Sequence, residues 1–423
     1  MLDKIQAVFS LQAAGGRIKK KIFLAACITL LLAMVILLSS CQKPRTPSEE
    51  LIAAMKKTSD AETFAASATF SFKLESQTED PKDQAINEIL SNITLHLLQK
   101  CDQKDLRYQL DLNLIYKGQN SGSLILYADL EKITLQSPFL SPRPFVFNWE
   151  DLPALTSQYL YGTQIHITDY FPLIFDEGLT TFKQIRDAAY HAYANFLAER
   201  VEVNPKKAHI TLAEVEGEKT YPCTEYILNL NYDETLQNDY IEFSVAILEN
   251  ETIRSLLKEK ITGFVEIAKN NGDLVTWPWT EEEIMDFVAN VEPNLDLLVE
   301  FFTDAYPTTA PSIPDNQMKT DYRISVDESG LIRAMVINQT ISLPGEENTS
   351  PNPVMNTALE MQWYNFGEQP AFLEFHPANA FDAGKASEEE WAAVIEEVKI
   401  NSLGQLFINP LFQEIMGLSN MGN

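Results

Sequence analysis

Four thiols, five imidazoles and a close pair of indoles are the side chains in this sequence whose types could do chemistry. The imidazoles, His96, His166, His191, His209 and His376, are scattered. "HAYAN" at 191–195 lacks a second histidine four residues on, so the two-ligand helix face of a zinc hydrolase is absent. No Gly-x-Ser-x-Gly elbow is present to raise a serine nucleophile, and no phosphate loop or dinucleotide fingerprint occurs. "DESG" at 327–330 lacks the ligand spacing of a calcium loop and reads as a turn. No metal and no cofactor are expected, and the chain reads as a non-enzyme. Trp277 and Trp279 in "TWPW" could stack a carbohydrate. The spacing of Thr280 and Glu283 instead favours a hydrophobic staple ahead of a capped helix. Cys101 and Cys223 belong to no CxxC pair, so a zinc knuckle or redox motif is excluded. A disulfide between them and two buried thiols both remain open.

Cys41 has a context that the other thiols lack. A basic cluster, Arg17, Lys19, Lys20 and Lys21, precedes an uncharged apolar run over 22–38, near the lower limit for spanning a bilayer. The run ends in Leu38-Ser39-Ser40-Cys41, which resembles a bacterial lipobox, where the thiol takes a diacylglyceryl group and the chain is cut before it. Residues 1–40 then read as a lipoprotein signal peptide and 41–50 as a lipidated tether, polar and broken by Pro44 and Pro47. The competing reading is an uncleaved signal anchor with a chance cysteine. Two acyl chains on Cys41 suffice for stable anchoring, so the expected location is the outer face of the cytoplasmic membrane.

The formal charge is −28, and residues 1–40 carry five basic residues and one acid, so the chain from Cys41 onward carries −32. Nucleic acid is excluded as a partner, because its phosphates demand a basic surface. Electrostatic docking on anionic lipid is disfavoured for the same reason. Apolar content of 45% is that of a globular protein.

The elements that must position any site follow from periodicity. "SEELIAAMKKTSDAETF" reads as a helix with Ser48 as its cap. Ala66, Ala68, Phe70, Phe72 and Leu74 alternate with polar residues, which marks a half-buried strand. "LRYQLDLNLIYKG" repeats the pattern, and a turn over 118–122 leads into the next strand. A helical section over about 181–302 carries amphipathic helices near 181–198 and 251–268, interrupted by a strand pair near 208–216 and 223–232 joined by "EGEKTYP". Pro293 is expected to kink or end the helix that Thr280 opens. Strands resume at 322–327, 331–342, 357–364 and 371–375. A helix over 387–398 follows, with an apolar tail from Ile400 that should dock on the body. The order is not the βαβ alternation of a doubly wound fold. It predicts an α+β body over 51–423, a single domain in which one large curved antiparallel sheet is covered on one face by helices.

Two stretches carry a family resemblance. "ELIAAMKKTSDAETFAASATFSFKLES" feeds a helix straight into a strand, and "TALEMQWYNFGEQPAFLEFHPANAFD" gives a strand, a turn at Gly367 and a second strand. With the lipobox they resemble the LolA/LolB/LprG-like superfamily of lipoprotein carriers, in the uncharacterised Firmicute type. The resemblance implies a LolA-like half-barrel around a cavity for acyl chains, with no catalytic residue. A cavity of that kind would be walled by Phe70, Phe72, Leu110, Leu112, Leu359 and Trp363 from the strands. Phe182, Leu256, Phe264 and Phe287 would face them from the helices. The expected function is a non-catalytic binding module for a lipid or lipopeptide. The alternatives are an envelope or spore-related lipoprotein that binds a protein partner, and, less favoured, an importer's solute-binding lipoprotein.

Overall fold

The computed structural model describes residues 46–75, 80–159, 166–176, 179–230, 234–305, 318–342, 354–375 and 379–420. Cys41, the leader and His376 lie outside the described residues. In chain order the elements begin with α1 (Pro47–Ser59), β1 (Thr63–Glu75), α2 (Pro81–Ser91), β2 (Ile93–Asp102), β3 (Arg107–Tyr116) and β4 (Gln119–Ala128). Next come β5 (Lys132–Ser137), β6 (Ser141–Asn148), α3 (Leu152–Tyr159), α4 (Phe171–Ile174), α5 (Thr180–Leu197), β7 (Val201–Val203), β8 (Ala208–Glu214) and β9 (Gly217–Leu228). Helices α6 (Glu234–Leu248), α7 (Glu251–Asn271), α8 (Glu281–Ala289) and α9 (Val291–Glu300) precede β10 (Met318–Asp327), β11 (Ile332–Ser342) and β12 (Val354–Tyr364). The last are β13 (Phe381–Asp382), α10 (Glu388–Ile408) and α11 (Pro410–Asn420).

The turn at Lys117 and Gly118 sets one register of the sheet. Both residues have positive φ, 47° and 76°, the twist that a two-residue hairpin needs and that glycine adopts without strain. Tyr116 therefore faces Gln119, and the turn is shorter than the expected 118–122. The pairings together give an α+β fold with one open, mostly antiparallel sheet of 13 strands. Its order is β13-β6-β5-β4-β3-β2-β1-β12-β11-β10-β9-β7, with β8 also pairing β9. The N-terminal meander and the C-terminal strands join at β1 and β12, from Ala65 opposite Tyr364 to Glu75 opposite Val354. Only β13 and β6 run parallel among the described pairs.

Three cores sit on this sheet. The main one places Leu51, Ile52 and Met55 of α1, with α5, α6 and the start of α7, over Tyr226, Leu228, Ile324 and Ile332. A bulge where β10 and β11 skip Arg333 returns Ile332 to the core face and sends the arginine to the other side. At the opposite end of the strand order, α10 buries Val394 against Phe145 and Phe381. A third core joins Ile89 of α2, Tyr116 and Leu411 of α11.

Several expected details differ, each for a local reason. The cap of α1 is Thr46, whose Oγ1 accepts from the Glu49 N–H at 3.2 Å while the Glu49 carboxylate accepts from the Thr46 N–H at 2.9 Å. Ser48 sits buried in the first turn. Pro293 breaks nothing: α8 ends at Ala289, and the proline lies in the first turn of α9, where its missing N–H has no partner to lose. "EGEKTYP" is mostly strand, because β9 begins at Gly217. Residues 371–375 form no strand. They cross the polar face, where the Leu373 N–H donates to Gln109 Oε1 at 2.7 Å and Arg107 lies 5.0 Å from the Phe372 ring. The apolar tail is helical: α10 runs on to Ile408, and α11 follows.

Candidate functional site

Directly opposed residues in antiparallel strands project to the same side of a sheet, so the register alone builds the site. Phe70 lies between Leu95 on β2 and Leu359 on β12. Leu112 lies between Leu97 and Leu124, and Leu110 between Gln99 and Leu126. Leu126 continues to Leu135 and on to Phe145. On the other flank Leu359 continues to Ile337 and Tyr322. One apolar face thus crosses the whole sheet.

Its burial is uneven. The face is fully buried at its two flanks, at Tyr226, Leu228 and Ile324 and again at Phe145 and Phe381. Between them Phe70, Phe72, Leu95, Leu97, Leu110, Leu112, Leu124 and Leu359 are all half-buried. A filled core of leucines and phenylalanines closes to near-zero exposure. The centre of this face does not.

A second apolar concavity, of about 590 Å³, lies within the helical layer. Ile261, Phe264 and Val265 of α7 form one wall and Ile284 and Phe287 of α8 another, with Trp277 and Trp279 between them. Asn250 caps α7, its Oδ1 accepting from the Ile253 N–H at 3.1 Å, and Gly272 at φ 76° stops it. The short 3₁₀ turn Asp273–Thr276 then carries the chain to Trp277. The Tyr170 hydroxyl holds that turn by donating to Asp273 at 2.6 Å, and its ring lies 4.7 Å from Phe264. Burial, then this bond to a carboxylate, pushes the Tyr170 hydroxyl well above the ordinary phenol value. The two charged lining residues are committed elsewhere. Lys260 donates to the Leu173 carbonyl at 2.6 Å and to Asp176 at 2.9 Å. Glu283 accepts from the Thr280 N–H at 2.8 Å as half of a capping box, and the Thr280 donors hold its carboxyl below the usual range. What remains is hydrocarbon and indole.

The structure divides the ten sequence-predicted lining residues. Phe70, Phe72, Leu110, Leu112, Leu359 and Trp363 share the sheet face, with Trp363 packed toward the main core. Phe264 and Phe287 both line the α7–α8 pocket. Phe182 is half exposed on α5, and Leu256 is half-buried on α7, neither of them lining that pocket. Trp277 and Trp279 are the pocket residues that sequence reasoning assigned to a staple. The i, i+3 and i+4 spacing of Ile261, Phe264 and Val265 with Ile284 and Phe287 was the available signal. Trp279 stays 61% exposed at the rim of the pocket, which Ile284 also lines.

Among the described residues no cluster of three or more His, Cys, Asp or Glu could hold a metal. Cys101 and Cys223 are free and buried. No described helix is long and apolar enough to cross a membrane. No family model matches the chain, and no curated protein is similar to it.

Proposed function

We propose that this chain is a lipid-anchored extracytoplasmic protein whose sheet forms a LolA-like half-barrel holding an apolar ligand, a lipid or a lipopeptide, without catalysis. One observation carries the reading: the centre of the apolar sheet face is half-buried while both its flanks are sealed. Ligand sites of this chemistry are concave, mostly apolar and largely preformed. The α7–α8 pocket adds a second apolar surface whose charged neighbours are already satisfied. Cys41 supplies the anchor in this reading, by the lipobox-like run before it.

Native mass spectrometry of the purified mature protein, with lipid extraction, tests the binding. A copurifying lipid beyond the anchor is expected, and an empty protein that gains no stability from long-chain lipids moves the reading to a protein-interaction module. The anchor is tested separately. Cys41→Ala should accumulate as an uncut precursor, and wild type should take up labelled palmitate. Wild type that partitions into the aqueous phase of a detergent extraction would overturn the anchor.

A further inference from the structure

Residues 400–420 are almost devoid of charge in a chain that carries −28. Their one ionisable side chain is Glu414, and it is neutralised in place. Lys117 Nζ donates to it at 2.7 Å, and the Tyr116 hydroxyl donates to its other oxygen. The inner side of the α10–α11 corner is fixed to the body. Leu411 is buried against Ile89 and Tyr116, and the Asn409 amide donates to the Ser121 carbonyl. The outer side is bare. Ile400, Leu403 and Phe407, at i, i+3 and i+7, are 68%, 55% and 69% exposed, and Ile408 at the corner is 69% exposed. These four side chains present on the order of 400 Å² of apolar surface, the size of the largest patch on a typical soluble monomer, which is often functional.

The length of chain between anchor and body narrows what covers this ridge. α1 is capped at Thr46, five residues after Cys41. Five extended residues reach only about 17 Å, less than the radius of gyration of a body this size, about 21 Å. A diacylated Cys41 therefore keeps the body against the bilayer. An acidic surface is repelled by anionic headgroups, so the part that can approach closely is one without carboxylates. The apolar residues of α8, by contrast, are interleaved with Glu281, Glu282, Glu283 and Asp286. Helices that lie in the interface bury an apolar face some 5–10 Å deep.

We propose that the α10–α11 corner, with Phe407 and Ile408 at its tip, inserts into the interfacial layer of the membrane to which the chain is tethered. The inference rests on the anchor reading above. The body is then held at two points, its lipidated N-terminus and this ridge.

The test uses the mature full-length protein, extracted from membranes and reconstituted into phosphatidylcholine vesicles containing brominated lipid. Phe407→Trp places a fluorophore at the tip, and Val215→Trp places one at a site that is 74% exposed in the turn between β8 and β9. After subtraction of wild-type emission, the added signal of Phe407→Trp should fall at least about twofold, as for an interfacial side chain, and that of Val215→Trp should not change. Ile408→Trp serves the same purpose if the first variant fails to fold. Protein that floats with the vesicles while both reporters stay unquenched overturns the insertion and leaves the anchor standing. Protein that does not float at all overturns the anchor, and the insertion with it. A tip reporter shielded from acrylamide but untouched by brominated lipid would mean a protein surface covers the ridge, and would also overturn the proposal.

Discussion

Leu51→Ala and Leu112→Ala should differ severalfold in cost, although both remove the same atoms from the apolar side of one fold. Leu51 is fully buried in the main core, so truncation loses transfer energy and leaves a cavity, about 3–5 kcal/mol. Leu112 is half-buried between Leu97 and Leu124. No cavity closes around its missing carbons, and only the transfer of its buried portion is lost, about 1–1.5 kcal/mol. Urea unfolding followed by tryptophan emission measures both, provided the slope with denaturant is unchanged. Ala68→Trp, opposite Leu97 and Met361, supplies the converse perturbation. On an open face it should cost under about 1 kcal/mol, whereas overpacking a filled core costs about 1–3 kcal/mol. The same variant should remove the stabilisation that a long-chain lipid gives wild type, which reaches about 2.7 kcal/mol at a hundredfold excess over Kd. Equal losses for the two leucines, with no effect of lipid, would refute the open face and make the sheet centre ordinary core.

Other expectations concern charges and thiols. Arg333 is buried between the rings of Tyr221 at 3.8 Å and Phe366 at 5.0 Å, and donates to Asp327 at 2.7 Å. Arg333→Lys keeps the charge but loses the stacked plane, and should cost about 2–3 kcal/mol by urea unfolding. Burial pushes the Asp327 carboxyl up, but bonds from the Ser329 hydroxyl, the Leu331 N–H and Arg333 outweigh it and hold the group below its ordinary value. A carboxyl depressed on folding stabilises fully above its unfolded value near 4 and loses that contribution as pH falls through the lower folded value. The unfolding midpoint should therefore drop below about pH 4, and Asp327→Asn should flatten that part of the profile. Burial pushes the Cys101 thiol up to about 12 and the Cys223 thiol up to about 11. Neither should react with a thiol reagent at pH 8 until urea exposes both. A third, fast-reacting thiol in the mature chain would argue against acylation of Cys41.

Local forces made part of this protein legible in one dimension. The alternation from Ala66 to Leu74 appears as strand β1 with Phe70 and Phe72 on one face, because side-chain direction in a strand depends only on i and i+2. The Thr280–Glu283 and Ser387–Glu390 capping boxes form as their spacing dictates, since each closes within one turn. Even the misplaced cap at Ser48 failed by only two residues, to Thr46, which has the same chemistry. The α+β character follows from the order of such elements. Which strand meets which does not, because Ala65 pairs with Tyr364, and no local period encodes a closure across that length of chain. The sequence marks Phe264 and Phe287 as apolar, and only the packing of α7 on α8 sends them to the Trp277 pocket instead of toward Phe70. Whether Leu112 is core or binding surface depends on how much of the sheet the helices cover. That is a property of assembled layers, in which two stretches of identical alternation are sealed at one place and left open at another.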